Sequence, residues 1–222
     1  MYLEFFKLLN NKPQNPLVII AKKDKEKFIK YSEIDDYNND GYDIYFQVNN
    51  GFPVNHFNAC FVDMDAGKID GKYLSLEQVR LAKIVMLEEI RRSLPPSYIL
   101  ETRNGYHCYW FINKTISDKV KWDTLQRKLC HSFTYGDPLI LKDDQLMRVP
   151  GTIAYKNGKY EPYKTSQKIV SYFFNYSKDT LWNKLLKYTH TCKHIPKLNS
   201  WSSVNNKQKF LILRLMSNYF VL

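Results

Sequence analysis

Phe57-Asn58-Ala59-Cys60-Phe61-Val62-Asp63-Met64-Asp65 decides how the rest of the chain is read. An apolar strand runs directly into two carboxylates separated by one residue. Side chains alternate faces along a strand, so Asp63 and Asp65 point one way and Met64 the other. Two anions on one face near the end of a buried strand repel each other unless a positive group stands between them. Hard carboxylate oxygens suit Mg²⁺ or Mn²⁺, and a phosphorylated substrate can complete the shell of such an ion. Asp-x-Asp is also a common way for a strand to end in an exposed turn, so the pair needs support from elsewhere in the chain.

Upstream of it, residues 2–10 read as a short helix, and Pro13 to Pro16 as a break. Leu17-Val18-Ile19-Ile20-Ala21 reads as a buried strand and Lys22 to Lys30 as a polar segment. The turn-rich patch from Asp36 to Gly41 leads into a strand from Tyr42 to Val48. Downstream, Ser75-Leu76-Glu77-Gln78 has the form of a capping box. It opens an amphipathic helix through Val79, Ala82, Val85, Met86 and Ile90 that Pro95-Pro96 ends. Strands from Tyr98 to Leu100 and from Tyr106 to Ile112 are joined by the tight loop Thr102-Arg103-Asn104-Gly105. Ser117 is expected to cap a helix carrying Val120, Trp122, Leu125, Leu129 and Phe133, which Tyr135-Gly136-Asp137-Pro138 breaks. Strands over 152–155 and 160–163 flank the hairpin signal Asn157-Gly158. One more strand is expected from Ile169 to Phe174, then a helix capped by Ser177 and a last helix from Gln208 to Val221. Helices and strands mix without a regular βαβ repeat, and hairpins are present. The pattern predicts an α+β fold with a mixed, largely antiparallel sheet and flanking helices.

A chain of 222 residues with 44% hydrophobic content can bury a sizeable core. No apolar run approaches the ~20 residues that span a bilayer. Met1 to Asn10 lacks the basic start and cleavage site of a signal peptide. The four cysteines contain no Cys-x-x-Cys pair, and Cys60, Cys108 and Cys130 lie in apolar surroundings. Together these predict reduced thiols, no membrane partner and a cytoplasmic location, that of the host for a viral protein. His190-x-Cys192-x-His194 has no second pair to complete a zinc site. The net charge of +11 is unevenly placed: from Tyr155 onward, 12 Lys and Arg face only Glu161 and Asp179. A phosphate backbone is the expected partner of that cationic third. A solvated lysine-rich face is the plainer alternative.

Three further stretches hold candidate chemistry. In Thr102-Arg103-Asn104-Gly105-Tyr106-His107, Thr and Arg are phosphate donors, Gly lets a backbone approach a ligand, and His107 points back along the sheet. Gly136-Asp137-Pro138 puts an acid just after a helix, where a turn former is also expected. In Arg148-Val149-Pro150-Gly151-Thr152, with Lys156 beyond it, cations bracket a tight turn. That arrangement suits a triphosphate or a surface ion pair.

In this order the stretches resemble the archaeo-eukaryotic primase superfamily, specifically the RepB-like primase and primase-polymerase domains of plasmids, phages and mobile elements. The resemblance runs over residues 36–165. It comprises Asn38 to Gly41 before a strand, Asp63 and Asp65 at a strand end, and Pro96-Ser97 leading to the hairpin Thr102, Gly105, His107. Tyr109-Trp110 follow, then Asp137 about eleven residues before Arg148 to Thr152. The chain departs from the pattern at Ala154, where the family has Asn. Asp143 or Asp144 could replace Asp137 after a one-residue slip in alignment.

The resemblance implies a primase-polymerase catalytic core, RRM-like, over 1–176, with a basic helical appendage over 177–222 that holds template or begins a linker to a replicative helicase. It implies template-dependent nucleotidyl transfer on single-stranded DNA with NTPs or dNTPs. Asp63, Asp65 and Asp137 would be the catalytic carboxylates, holding two divalent ions, Mg²⁺ or Mn²⁺. Thr102, Arg103, His107, Arg148 and Lys156 would contact the triphosphate. Lys159, Tyr160, Tyr163, Lys164 and Lys168 interleave cations with aromatics, as a groove for single-stranded template does. Two other classes compete. A rolling-circle nickase needs a His-hydrophobic-His pair, and the sequence has none. A non-catalytic single-strand-binding module would have no need of three carboxylates and His107.

Overall fold

The structure is a computed structural model and describes residues 2–9, 17–49, 56–69, 72–92, 94–142, 144–156, 161–168 and 175–176. In chain order its elements are α1 (Tyr2–Leu9), β1 (Ile19–Lys22), β2 (Glu26–Ile29), α2 (Ile34–Asn39), β3 (Asp43–Gln47) and β4 (Phe57–Asp65). There follow β5 (Lys68–Ile69), β6 (Lys72–Tyr73), α3 (Leu76–Arg92), β7 (Tyr98–Glu101), β8 (Gly105–Ile116) and α4 (Lys119–His131). The last are β9 (Leu146–Arg148), β10 (Ile153–Ala154), β11 (Tyr163–Lys164), β12 (Ser166–Lys168) and β13 (Asn175–Tyr176).

Two sheets form the body. The first has the order β2-β1-β3-β9 and is antiparallel throughout. The second is centred on β8, with β4 on one side and β7 then β12 on the other, all antiparallel. Beyond the last residue of β8 that β7 pairs, β13 lies parallel to Phe111 and Ile112. The architecture is α+β and mostly antiparallel, as the pattern of the chain predicts.

Phe5 of α1 ties the two sheets together. Its ring meets Phe46 of β3 at 5.3 Å, Tyr98 of β7 at 4.8 Å and Tyr109 of β8 at 5.0 Å, all edge-on. Such edge-to-face packing adds to the burial of a side chain with no exposed surface. The other face of the second sheet is covered by α3 and α4. Trp110 donates its Nε1–H to the Leu94 carbonyl at 3.1 Å, and its ring lies 5.9 Å from Phe133.

The expected capping box of α3 is present: Gln78 Oε1 accepts from Ser75 N at 2.9 Å, and Ser75 Oγ accepts from Gln78 N at 3.3 Å. At α4 the cap is Asp118 rather than Ser117, its carboxylate accepting from Lys121 N at 3.1 Å. Val120, expected on the buried face of that helix, is 75% exposed. The segment from Lys22 to Lys30 contains β2, which closes a hairpin on β1. The turn-rich patch before β3 contains α2. The strands expected around Asn157-Gly158 are the shorter β10 and β11, paired antiparallel. The expected strand over 169–174, the helices after Ser177 and the domain boundary at 176 lie outside the described residues. Among those described, no helix is long and apolar enough to cross a membrane.

Candidate active site

Among the described strands β4 pairs only with β8, so its other edge needs partners for its backbone groups. Side chains of α4 supply them first. Trp122 donates Nε1–H to the Ala59 carbonyl at 3.0 Å. The Gln126 amide accepts from Phe61 N at 3.0 Å and donates to Phe61 O at 2.6 Å, as a strand residue would. The segment after α4 then takes over. Asp137 N donates to Asp63 O at 2.9 Å, Asp65 N donates to Tyr135 O at 3.3 Å, and Met64 forms an antiparallel bridge with Gly136. In that register Asp137 stands opposite Asp63, and directly opposed residues share a face. Asp63, Asp65 and Asp137 therefore occupy one face of the sheet. A Cβ on Gly136 would lie 2.5 Å from the Cys130 carbonyl oxygen, so only glycine fits between the end of α4 and β4. Glu89 of α3 fixes the approach by accepting from the hydroxyl and the N–H of Thr134.

On the opposite side β8 places His107 across from Asp63 and Gly105 across from Asp65. A Cβ on Gly105 would stand 1.7 Å from the Met64 carbonyl oxygen, which explains glycine at the start of this strand. The hairpin closes through Thr102 N donating to Gly105 O at 2.9 Å. Lys83 of α3 holds the loop from below, donating to the Thr102 carbonyl at 2.6 Å and to Glu101 at 3.0 Å.

The first sheet supplies the cations. Arg148 of β9 is paired with Tyr45 of β3 in the ladder. Its Nη1 donates to Asp43 at 2.7 Å, its Nη2 donates to the Tyr45 hydroxyl at 3.0 Å, and its guanidinium carbon lies 4.8 Å from the Tyr45 ring centroid. The Asp43 carboxylate also accepts from the backbone N–H of Tyr155 at 2.8 Å and of Lys156 at 2.9 Å. One buried acid thereby fixes Arg148 and the turn that carries Lys156. Lys156 has φ 49°, a left-handed conformation uncommon outside glycine that this pair of hydrogen bonds holds in place. Asn38, on α2, closes the back of the turn with hydrogen bonds to both backbone groups of Ile153 at 2.9 Å.

These elements enclose a cleft of about 130 Å³ lined by Asp63, Asp65, Thr102, Arg103 and His107 on one wall and by Tyr45, Arg148 and Lys156 on the other. Burial, then repulsion from Asp65 and Asp137, pushes the Asp63 carboxyl up to about 7, against the opposing pull of Lys156 and Arg148. Asp63 keeps 23% of its side-chain surface accessible. Burial, then Arg148 and Lys156, pushes the His107 imidazole down to about 3. The 3.6 Å contact between His107 Nε2 and Asp63 Oδ1 is thus no ion pair, because the imidazole is neutral in the physiological range.

No protein-family model and no curated protein matches the chain. Solved structures do. The AEP domain of the primase-polymerase of cyanophage S-2L superposes with a TM-score of 0.62 at 19% identity, over 83% of this chain and 96% of that domain. Primase RepB′ superposes with a TM-score of 0.52 at 13% identity, over 98% of this chain and 68% of its own. The catalytic domain of RepB′, in complex with initiator DNA, gives 0.52 at 11% identity over 86% and 99%. The fold is that of a primase-polymerase catalytic domain. At these identities the likeness concerns architecture, and chemistry rests on the residues.

Within this primase-polymerase fold, seven of the expected site residues meet in the one cleft: Asp63, Asp65, Thr102, Arg103, His107, Arg148 and Lys156. Asp137 joins from its edge through the backbone of Asp63. Asp144, the described alternative to Asp137, is exposed. Of the expected template residues, Lys164 is exposed, and the ring of Tyr163 lies between Lys83 at 5.4 Å and Arg103 at 5.7 Å, which props the hairpin loop. Lys159, Tyr160 and the side chain of Lys168 lie outside the described residues.

Two residues that shape the cleft, one lining it and one behind it, escape a reading of the sequence. Tyr45 looks like any strand aromatic until the ladder sets it beside Arg148. Asp43, which organises the cations, left one signal, an acid at the head of an otherwise apolar strand.

The donor set suits a hard divalent cation in kind: three carboxylates on one face, one of them pushed toward protonation by burial and then by the other two. Among the described residues, no three His, Cys, Asp or Glu side chains already close on one point. The reason lies in two turns. Asp65 Oδ1 accepts from Gly67 N at 2.5 Å and Asp137 Oδ1 from Leu139 N at 2.8 Å, so each carboxylate is anchored by one oxygen and has a second that its turn does not use.

Proposed function

We propose that the chain is a template-dependent nucleotidyltransferase of the primase-polymerase type, making or extending primers on single-stranded DNA during replication of a plasmid, phage or mobile element. The observation that carries this reading is the convergence of Asp63, Asp65 and Asp137 on one sheet face, across a cleft from Arg148 and Lys156, in a fold shared with primase-polymerase domains.

Asp63, Asp65 and Asp137 would hold two divalent ions, Mg²⁺ or Mn²⁺. Bound there, such ions supply a lowered pKa for an attacking 3′-hydroxyl and neutralise charge on the leaving pyrophosphate. The chain's own residues position and balance charge. Asp43 keeps Arg148 at a fixed place beside the triphosphate, where its charge acts without reorganisation. Lys156, exposed at the cleft edge, follows the phosphates as a mobile cation. His107, being neutral, offers one N–H to a phosphate oxygen without adding charge next to Asp63. Thr102 and Arg103 supply donors from a hairpin that Lys83 and Tyr163 brace.

The deciding assay supplies single-stranded template, labelled NTPs or dNTPs, and Mg²⁺ or Mn²⁺, with and without primer. Metal-dependent incorporation is expected, and Asp63→Ala should abolish it while leaving DNA binding largely intact. Incorporation by Asp63→Ala near the wild-type rate would end the proposal. A wild-type protein that binds template and incorporates nothing would be a binding module, and a covalent tyrosyl–DNA adduct would mark a nickase.

A further inference from the structure

The hairpin at the outer edge of the first sheet carries an aromatic and basic surface that the cleft chemistry does not use. The ladders align Arg148 with Tyr45, Tyr45 with Ile20 and Ile20 with Phe28, a single row across β9, β3, β1 and β2. Directly paired residues share a face, so the row that starts in the cleft at Arg148 and Tyr45 ends at Phe28. Three strand spacings put Phe28 about 14 Å from Arg148. Phe28 is 82% exposed, the second most exposed of the large apolar side chains among the described residues. The stretch from Lys22 to Lys30 holds five lysines against Asp24 and Glu26; by strand alternation Lys22, ion-paired with Glu26, and Lys30 share the face of Phe28, and Lys23 and Lys27 take the other. Lys23 and Lys27 each lie 5.4 Å from the Tyr42 ring, and Lys27 lies 5.7 Å from that of Tyr37.

Two kinds of occupant could cover an exposed aromatic on an edge strand. A strand from another protein would pair with the outer edge of β2, which no other described strand covers, and lysines along an edge oppose that pairing. A polyanion gains from the same lysines through counterion release. Unpaired bases gain from an aromatic face flanked by cations. We propose that the β1–β2 hairpin binds single-stranded nucleic acid, one base stacking on Phe28 and the backbone passing Lys22 and Lys30 on the same face, as an outward continuation of the cleft. Only the identification of that strand as the template rests on the proposed function.

The test is fluorescence anisotropy of a labelled oligothymidine of about 15 nucleotides on the whole chain, without metal or nucleotide. Phe28→Ala should weaken binding about tenfold, from the loss of one stacked base. Phe28→Trp should preserve it. Lys30→Ala should flatten the slope of log affinity against log salt by about 0.7. An exposed position leaves the melting temperature of Phe28→Ala unchanged. Equal affinity of Phe28→Ala and wild type would overturn the proposal, as would loss of a self-association in Phe28→Ala with oligonucleotide binding unaltered. The two readings separate cleanly. Binding through Phe28 without any nucleotide incorporation leaves this surface standing and removes the polymerase, whereas incorporation with binding indifferent to Phe28 does the reverse.

Discussion

Asp63 lies in surroundings that disfavour its charge. Its folded value of about 7 lies above the ordinary 3.8, so between those two the unfolded chain ionises while the folded one keeps its proton. Stability is therefore lost as pH rises through that window, by an amount of order a few kcal/mol, and stays lost above it. Asn at this position carries no such penalty. Asp63→Asn is expected to melt several degrees above wild type at about pH 8 in chelator, and to differ little at about pH 4, where both forms are neutral. Adding Mn²⁺ at the higher pH should raise the wild type and leave Asp63→Asn unmoved. Identical pH profiles of the two proteins by differential scanning fluorimetry would contradict this. The pair Asp63 and Asp65 was legible in the sequence because strand alternation alone puts them on one face. The use of Asp43 as an anchor was not, because its partners, Arg148 and the N–H groups of Tyr155 and Lys156, lie more than a hundred residues away.

Among the elements, β4 depends on a helix side chain to behave like the neighbouring strand. Gln126 is fully buried and serves both backbone groups of Phe61. Gln126→Leu keeps the volume and leaves an N–H and a carbonyl without partners, at a cost of about 2–3 kcal/mol. The expected fall in melting temperature is about 5–10 °C. A change under about 1 °C would show that water replaces the amide there. The periodicity of α4 exposes Trp122, Leu125 and Leu129 as core residues, and the structure buries all three. It hides Gln126, which shares the apolar face of Trp122 and Leu129 by position but whose polar side chain reads as a solvent residue. Strand β2 was missed for a related reason. Lysines dominate its segment and mask an alternation in which Ile29 is buried and Phe28 is not.

For the molecule as a whole, the cleft exists because two sheets are held at a fixed distance, and Phe5 packs against both. Phe5→Ala removes ring contacts to Phe46, Tyr98, Tyr109 and Phe111 at once. A loss of about 3–5 kcal/mol is expected, with a melting temperature lower by roughly 10 °C. Because the carboxylates and the cations stand on different sheets, nucleotide affinity should fall with it even below the melting transition. A variant with wild-type KM for the nucleotide would show that the two walls do not need this ring. The α+β class and the antiparallel sheets followed from the alternation of apolar runs. The division into two sheets did not, since pairing of β3 with β9 rather than with β4 is a long-range choice that local pattern leaves open. The close approach of Gly105 to the Met64 carbonyl has a last consequence. It makes the site a matter of parity: sliding β8 along β4 by a single residue would carry His107 to the side of α3 and α4 and bring Tyr106 or Cys108 opposite Asp63. No intermediate alignment preserves part of the constellation, so errors in this hairpin are all-or-nothing, and a mispaired chain is inert rather than weakly active.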